Sequence, residues 1–87
     1  MKSRWENTGA HRWTRAIAYG AGFLAALPHA DGGYFWEMSF LHGGLWVPLV
    51  RTNSTPSFGT PEEAQGDADD YFDAICKAVK VDAAARE

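Results

Sequence analysis

The four residues Thr60-Pro61-Glu62-Glu63 constrain this chain more than any other stretch, because they fix where a helix begins. Thr60 supplies a capping hydroxyl, and Pro61 occupies the first helical position, where a missing N–H costs nothing. Glu63 stands three residues on, placed to reach back to the cap N–H and complete a capping box. Beyond the box, Ala64, Ala68, Tyr71, Phe72, Ile75 and Val79 recur at three- and four-residue spacing. This predicts one amphipathic helix over 61–81, its apolar stripe turned to the rest of the molecule. Gly66 weakens that helix by about 1 kcal/mol relative to alanine, and the cap offsets a similar amount. The tail, 82–87, is expected to fray.

Before the box the period changes from helical to alternating. Short apolar runs are separated by Gly20-Ala21-Gly22, Asp31-Gly32-Gly33 and Gly43-Gly44, residues that tolerate the positive φ of tight hairpins. The pattern predicts antiparallel strands over 12–19, 23–28, 34–41 and 45–51. Residues 1–10 show no period and are expected to form a flexible arm ahead of a single domain over 11–81. Pro48 removes a ladder donor and assigns the last strand to a sheet edge. The expected fold is therefore α+β: an antiparallel meander of about four strands with one C-terminal amphipathic helix packed on one face. In the third strand Tyr34, Trp36, Met38 and Phe40 share one face, with Phe35, Glu37, Ser39 and Leu41 on the other. In the first, Trp13, Arg15, Ile17 and Tyr19 oppose Thr14, Ala16 and Ala18. The small row offers close approach to a helix and the bulky row offers an uncovered aromatic surface; alternation does not choose between them.

Chemistry is sparse. A single cysteine, Cys76, excludes an intramolecular disulfide and any multi-cysteine zinc site, and fits a reducing, cytoplasmic compartment. On the helix it reads as a small buried hydrophobe. His11, His29 and His42 fall in three different segments without metal-ligand spacing, so no metal or cofactor is expected. No serine or threonine has a nucleophile's context, and Glu37 is the only carboxylate within a predicted strand, so an enzyme is not expected. The apolar run 16–27 is too short and too broken by glycine for a membrane span, and the segment ahead of it is a poor match to a secretory leader. Asn53-Ser54-Thr55 matches a glycosylation sequon, which carries meaning only in a secreted eukaryotic protein.

Two features point outward. Residues 52–87 carry eight acids and three bases, whereas 1–51 carry three acids and five bases. Glu62, Glu63, Asp67, Asp69, Asp70 and Asp73 form an acidic helix surface that either complements the helix dipole or meets a basic partner, with all but Asp69 as candidate protein-binding residues. Four Trp, five Phe and three Tyr are more aromatic side chains than a small core requires. Trp36, Trp46, Tyr34 and Phe40 are the candidate protein-binding aromatics. The same aromatics beside Arg4, Arg12, Arg15 and Arg51 also suit a single-stranded nucleic acid, a reading disfavoured by the net charge of −3.

With Tyr34-Phe35-Trp36-Glu37 on a strand and Thr60-Pro61-Glu62-Glu63-Ala64 opening the helix, the order of parts resembles a loosely defined group of small phage- and prophage-encoded proteins. The resemblance implies a non-enzymatic inhibitor or adaptor that blocks or redirects a host protein, as anti-CRISPR proteins do. It carries over no functional residue. The expected function is thus a non-catalytic protein-interaction module acting on a host protein or complex, with homodimerisation through the sheet face or the Pro48 edge as a further possibility. A single-stranded nucleic-acid-binding module is the alternative.

Overall fold

A computed structural model describes residues 4–52 and 57–86, with the backbone alone for Tyr19 and 79–86. Five strands run in chain order: β1 Glu6–Gly9, β2 Arg12–Ile17, β3 Gly22–Pro28, β4 Tyr34–His42 and β5 Leu45–Arg51. A short 3-10 turn, Ala18–Gly20, links β2 to β3, and α1 spans Pro61–Arg86. The sheet is antiparallel throughout, in the order β1-β2-β3-β4-β5, so every strand pairs only with its sequence neighbours. This is the expected α+β meander and helix, with five strands in place of about four.

The extra strand lies within the expected arm. β1 is polar and exposed along its length, so no apolar period marks it. Its anchor is Trp5, whose indole N–H is shared between both carboxylate oxygens of Asp69 at 3.1 Å each. The helix likewise continues past 81 to Arg86, through the strong helix formers Ala83-Ala84-Ala85. Elsewhere the strand ends fall within two residues of expectation. The sequon and Val79's side chain lie outside the described residues.

The helix covers the bulky row. Trp13, Ala26 and Trp36 stand in register across β2, β3 and β4, followed by Arg15, Leu24, Met38 and Val50 across β2 to β5. Ile17, Leu24, Trp36 and Met38 are buried against Ala68, with Phe40, Phe58, Phe72 and Ile75 packed around them. The small residues that permit close approach belong to the helix itself, since Ala64 and Ala68 are fully buried. Burying a side chain such as Leu24 contributes about 1.5–3 kcal/mol.

Polar side chains then fix how the helix sits. The Trp36 indole N–H donates to Asp67 Oδ2 at 2.7 Å, and the Tyr71 ring tilts against the Trp36 ring at 5.2 Å. Arg15, buried in the sheet, forms an ion pair with Asp69, and its guanidinium lies 5.7 Å from the centre of the Phe72 ring. The capping box closes as expected at Thr60, whose Oγ1 accepts from the Glu63 N–H at 3.2 Å. The Glu63 carboxylate reaches one residue further back than expected, accepting from the Gly59 N–H at 3.3 Å.

Candidate interaction surface

The helix packs chiefly on β3 and β4, which leaves the opposite face of the sheet and the β4–β5 hairpin uncovered. The hairpin follows from its turn. Gly43 and Gly44 have φ of 59° and 82°, the two positive values of a type I′ turn, whose twist matches that of the flanking strands. The turn sets His42 opposite Leu45 and Leu41 opposite Trp46, and an extra residue between Val50 and Pro48 bulges β5 at Leu49.

Large apolar side chains accumulate here. Leu45 is 71% exposed, Leu49 64%, Leu41 and Trp46 49% each and Val47 37%. Trp46 points to the uncovered face, where its ring meets Phe23 edge-on at 5.0 Å. From that pair an open groove of about 500 Å³ runs across the sheet, floored by Thr14, Ala16 and Gly22 and walled by Arg4, Glu6, Thr8 and Arg12. Arg4 and Arg12 have no ion-pair partner among the described residues. At the other end of the same face, Arg51 pairs with Glu37, its Nη2 2.9 Å from Oε2.

The structure separates the candidate binding residues into two groups on opposite sides of the sheet. Trp46 is exposed on the uncovered face. Trp36, expected beside it as a contact residue, is 1% exposed beneath the helix, because the helix covers its row. Tyr34 is half-buried and bridges the returning chain at Phe58 through two backbone hydrogen bonds of 2.8 Å, and Phe40 is half-buried over Gly22. Among the acids, Asp67 holds the Trp36 indole and Glu63 serves the cap, while Glu62 and Asp70 are exposed and Asp73 is half-buried. No flat partner can touch Trp46 and this helix surface together. Of the arginines considered for nucleic acid, Arg4 and Arg12 are available at the groove, whereas Arg15 is buried against Asp69 and Arg51 is held by Glu37.

Leu41 and Phe23 on this face, and Leu45, Val47 and Leu49 in the hairpin, were not singled out by sequence reasoning. Their signal was in Leu45-Trp46-Val47-Pro48-Leu49-Val50, which is apolar at both alternating positions although Pro48 assigns it to an edge. A strand buried on both faces reads this way, yet an edge strand cannot be so covered by one helix.

A second polar cluster contains the residue types of a hydrolase but not the order. Ser57, in the connection from β5 to α1, donates its hydroxyl to Oδ2 of Asp31 in the β3–β4 loop at 2.8 Å, and Asp31 Oδ1 lies 3.1 Å from His29 Nδ1. The carboxylate stands between serine and histidine, so the imidazole does not receive the hydroxyl proton. Hydrogen bonds from the Gly33 N–H and Ser57, with His29 nearby, hold the Asp31 carboxyl below the usual carboxylate range, which makes it a poorer base still. The cluster shapes the turn. Among the described residues no group of three His, Cys, Asp or Glu could hold a metal ion, and no helix is long and apolar enough to cross a membrane. Comparison with family models, curated proteins and solved structures gives no match.

Proposed function

We propose that this protein is a non-catalytic protein-interaction module that binds its partner with the uncovered face of the sheet. The observation that supports this most is the placement of Trp46 and Leu41, each half exposed, beside the Phe23 ring and an open groove. Half-exposed Trp next to a concavity is the usual anatomy of a binding hot spot, and Leu41, opposite Trp46 on the same face, enlarges the apolar patch around it. A host protein is the partner class to screen first, given the resemblance to phage-encoded proteins, and a cytoplasmic setting fits the free thiol of Cys76.

The nucleic-acid reading has one observation in its favour: Arg4 and Arg12 flank the groove that Phe23 and Trp46 close. Against it stand Glu6 in the same wall and the net charge of −3. A photo-crosslinking residue placed at Leu41 or at Arg12, with Asp70 on the helix as control, separates the readings in host lysate. The expected result is a discrete protein adduct from the two sheet positions, resistant to nuclease and absent from the control. Adducts that vanish with nuclease and with rising salt replace this reading with the nucleic-acid one. Equal labelling from Asp70 refutes the choice of face.

A further inference from the structure

We infer that β5 is a self-association edge at which two copies of this chain join into one continuous ten-stranded sheet. The inference rests on the interaction-module reading above and names one of the partners as a second copy. The two edges of the sheet are unlike. β1 is four residues long and polar, the usual protection of a sheet edge against unwanted strands. β5 is seven residues long, and apolar at every position before Arg51.

The register of β5 specifies how a second copy fits. A two-residue type I′ hairpin closes on a hydrogen-bonded pair, here His42 and Leu45, and pairs alternate along the ladder from there. Phe40 and Val47 are then bonded, while Leu41 with Trp46 and Ser39 with Pro48 are not. Trp46 therefore turns both its N–H and its C=O to the free edge, and Pro48 turns a C=O and no N–H. An antiparallel pairing centred on Pro48 has no donors, and one that sets Trp46 opposite Pro48 loses half of them. Setting Trp46 opposite Trp46 of the second copy keeps both bonds. That same register sets each Leu45 opposite Val47 of the other copy, side by side on the helix side of the sheet. Their present exposures of 71% and 37% become contact surface. Stable complexes bury roughly 800 Å² per partner, and the exposed Leu45 and Val47 supply apolar surface to that contact.

Joined this way, the two helices lie on one side, and the two Trp46 rings meet on the other with a groove extending from each. The interaction face is thereby doubled, and a partner with two sites gains by avidity.

Sedimentation equilibrium of the full chain tests the inference. The expected result is a reversible monomer–dimer equilibrium that Leu45→Lys shifts toward monomer by about a hundredfold in dissociation constant, with unchanged circular dichroism. Leu45 is exposed in the monomer, so the fold does not depend on it. A second measurement fixes the register: Trp46→Cys in a Cys76→Ala background forms an intermolecular disulfide on mild oxidation, because directly opposed residues stand about 5.5 Å apart at Cα. A chain that stays monomeric through the micromolar range overturns the inference, as does a dimer indifferent to Leu45→Lys. Crosslinking from Arg12 in the monomeric Leu45→Lys variant reports on the interaction module alone, so the two readings fail separately.

Discussion

Replacing Asp69 by alanine tests the polar attachment of the helix, because this one carboxylate serves two sheet residues. It pairs with Arg15, whose side chain is 6% exposed, and it accepts the Trp5 indole N–H on both oxygens. Asp69→Ala leaves a guanidinium buried without its counter-charge, with its Nε already lacking a partner among the described residues. Removing one member of a buried pair costs about 3–5 kcal/mol. Asp69 itself is 28% exposed, so water relieves part of this, and we expect about 3 kcal/mol. The converse change, Arg15→Met, keeps the volume and the contact with Phe72 while removing the charge, and Asp69 remains hydrated; its expected cost is below about 1 kcal/mol. A chain of this size has on the order of 5–10 kcal/mol in all. Urea denaturation followed by tryptophan fluorescence reads the difference. With a slope near 1 kcal/mol per molar, Asp69→Ala lowers the midpoint by about 3 M and Arg15→Met by under about 1 M. The double variant should lie near Arg15→Met, displaced only by loss of the Trp5 bond. Equal costs for the two single changes, or a double variant as unstable as their sum, refute the reasoning.

Trp36→Phe should cost about 1.5–3 kcal/mol by urea titration, since it deletes a charge-assisted bond and leaves the Asp67 carboxylate facing the ring; a loss of partner affinity at unchanged stability contradicts the burial described above. Gly33→Ala should destabilise by more than about 2 kcal/mol in the same assay, because a Cβ there would run into Ser57 Oγ and meet the Phe58 carbonyl at 2.7 Å. Asp31 has a folded pKa below its unfolded one, so the stability it contributes is present above the ordinary carboxylate range and lost as pH falls through the lower folded value. NMR titration of the carboxyl carbon gives the midpoint, and Asp31→Ala should flatten that part of the acid unfolding curve.

The elements that the sequence revealed were those whose local chemistry is self-sufficient. Thr60 and Glu63 announce the helix start, Gly43-Gly44 the hairpin, and alternation in Tyr34–Leu41 the two faces of β4. β1 was not legible, because its stability comes from Trp5 and Asp69, 64 positions apart, and such a contact leaves no local period. The same holds for the choice of face. Bulky or small rows on the sheet each suit a helix, and the decision lay in Ala64 and Ala68 on the helix together with aspartates that reach Trp36 and Arg15. Reading those acids by charge alone suggested an outward surface, whereas Asp67 and Asp69 spend theirs on the interior. Trp46 was recognised, but its leucine neighbours were hidden in a run that looked like ordinary strand core.

The strictly sequential order of the sheet has a consequence for how the molecule comes into being. Every strand pairing is between neighbours in the chain, so the meander can assemble from short loop closures and belongs to the quickly formed class of β structures. Its cover arrives last. During synthesis all five strands leave the ribosome before Ala68, Phe72 and Ile75 emerge to close over Leu24, Trp36 and Met38. In that interval the nascent chain presents the future core on one side and the exposed hairpin on the other, and it is then most prone to join the wrong neighbour. The capping bonds at the start of α1 shorten the exposure, since a helix whose first turn is fixed by its own residues nucleates without waiting for the sheet.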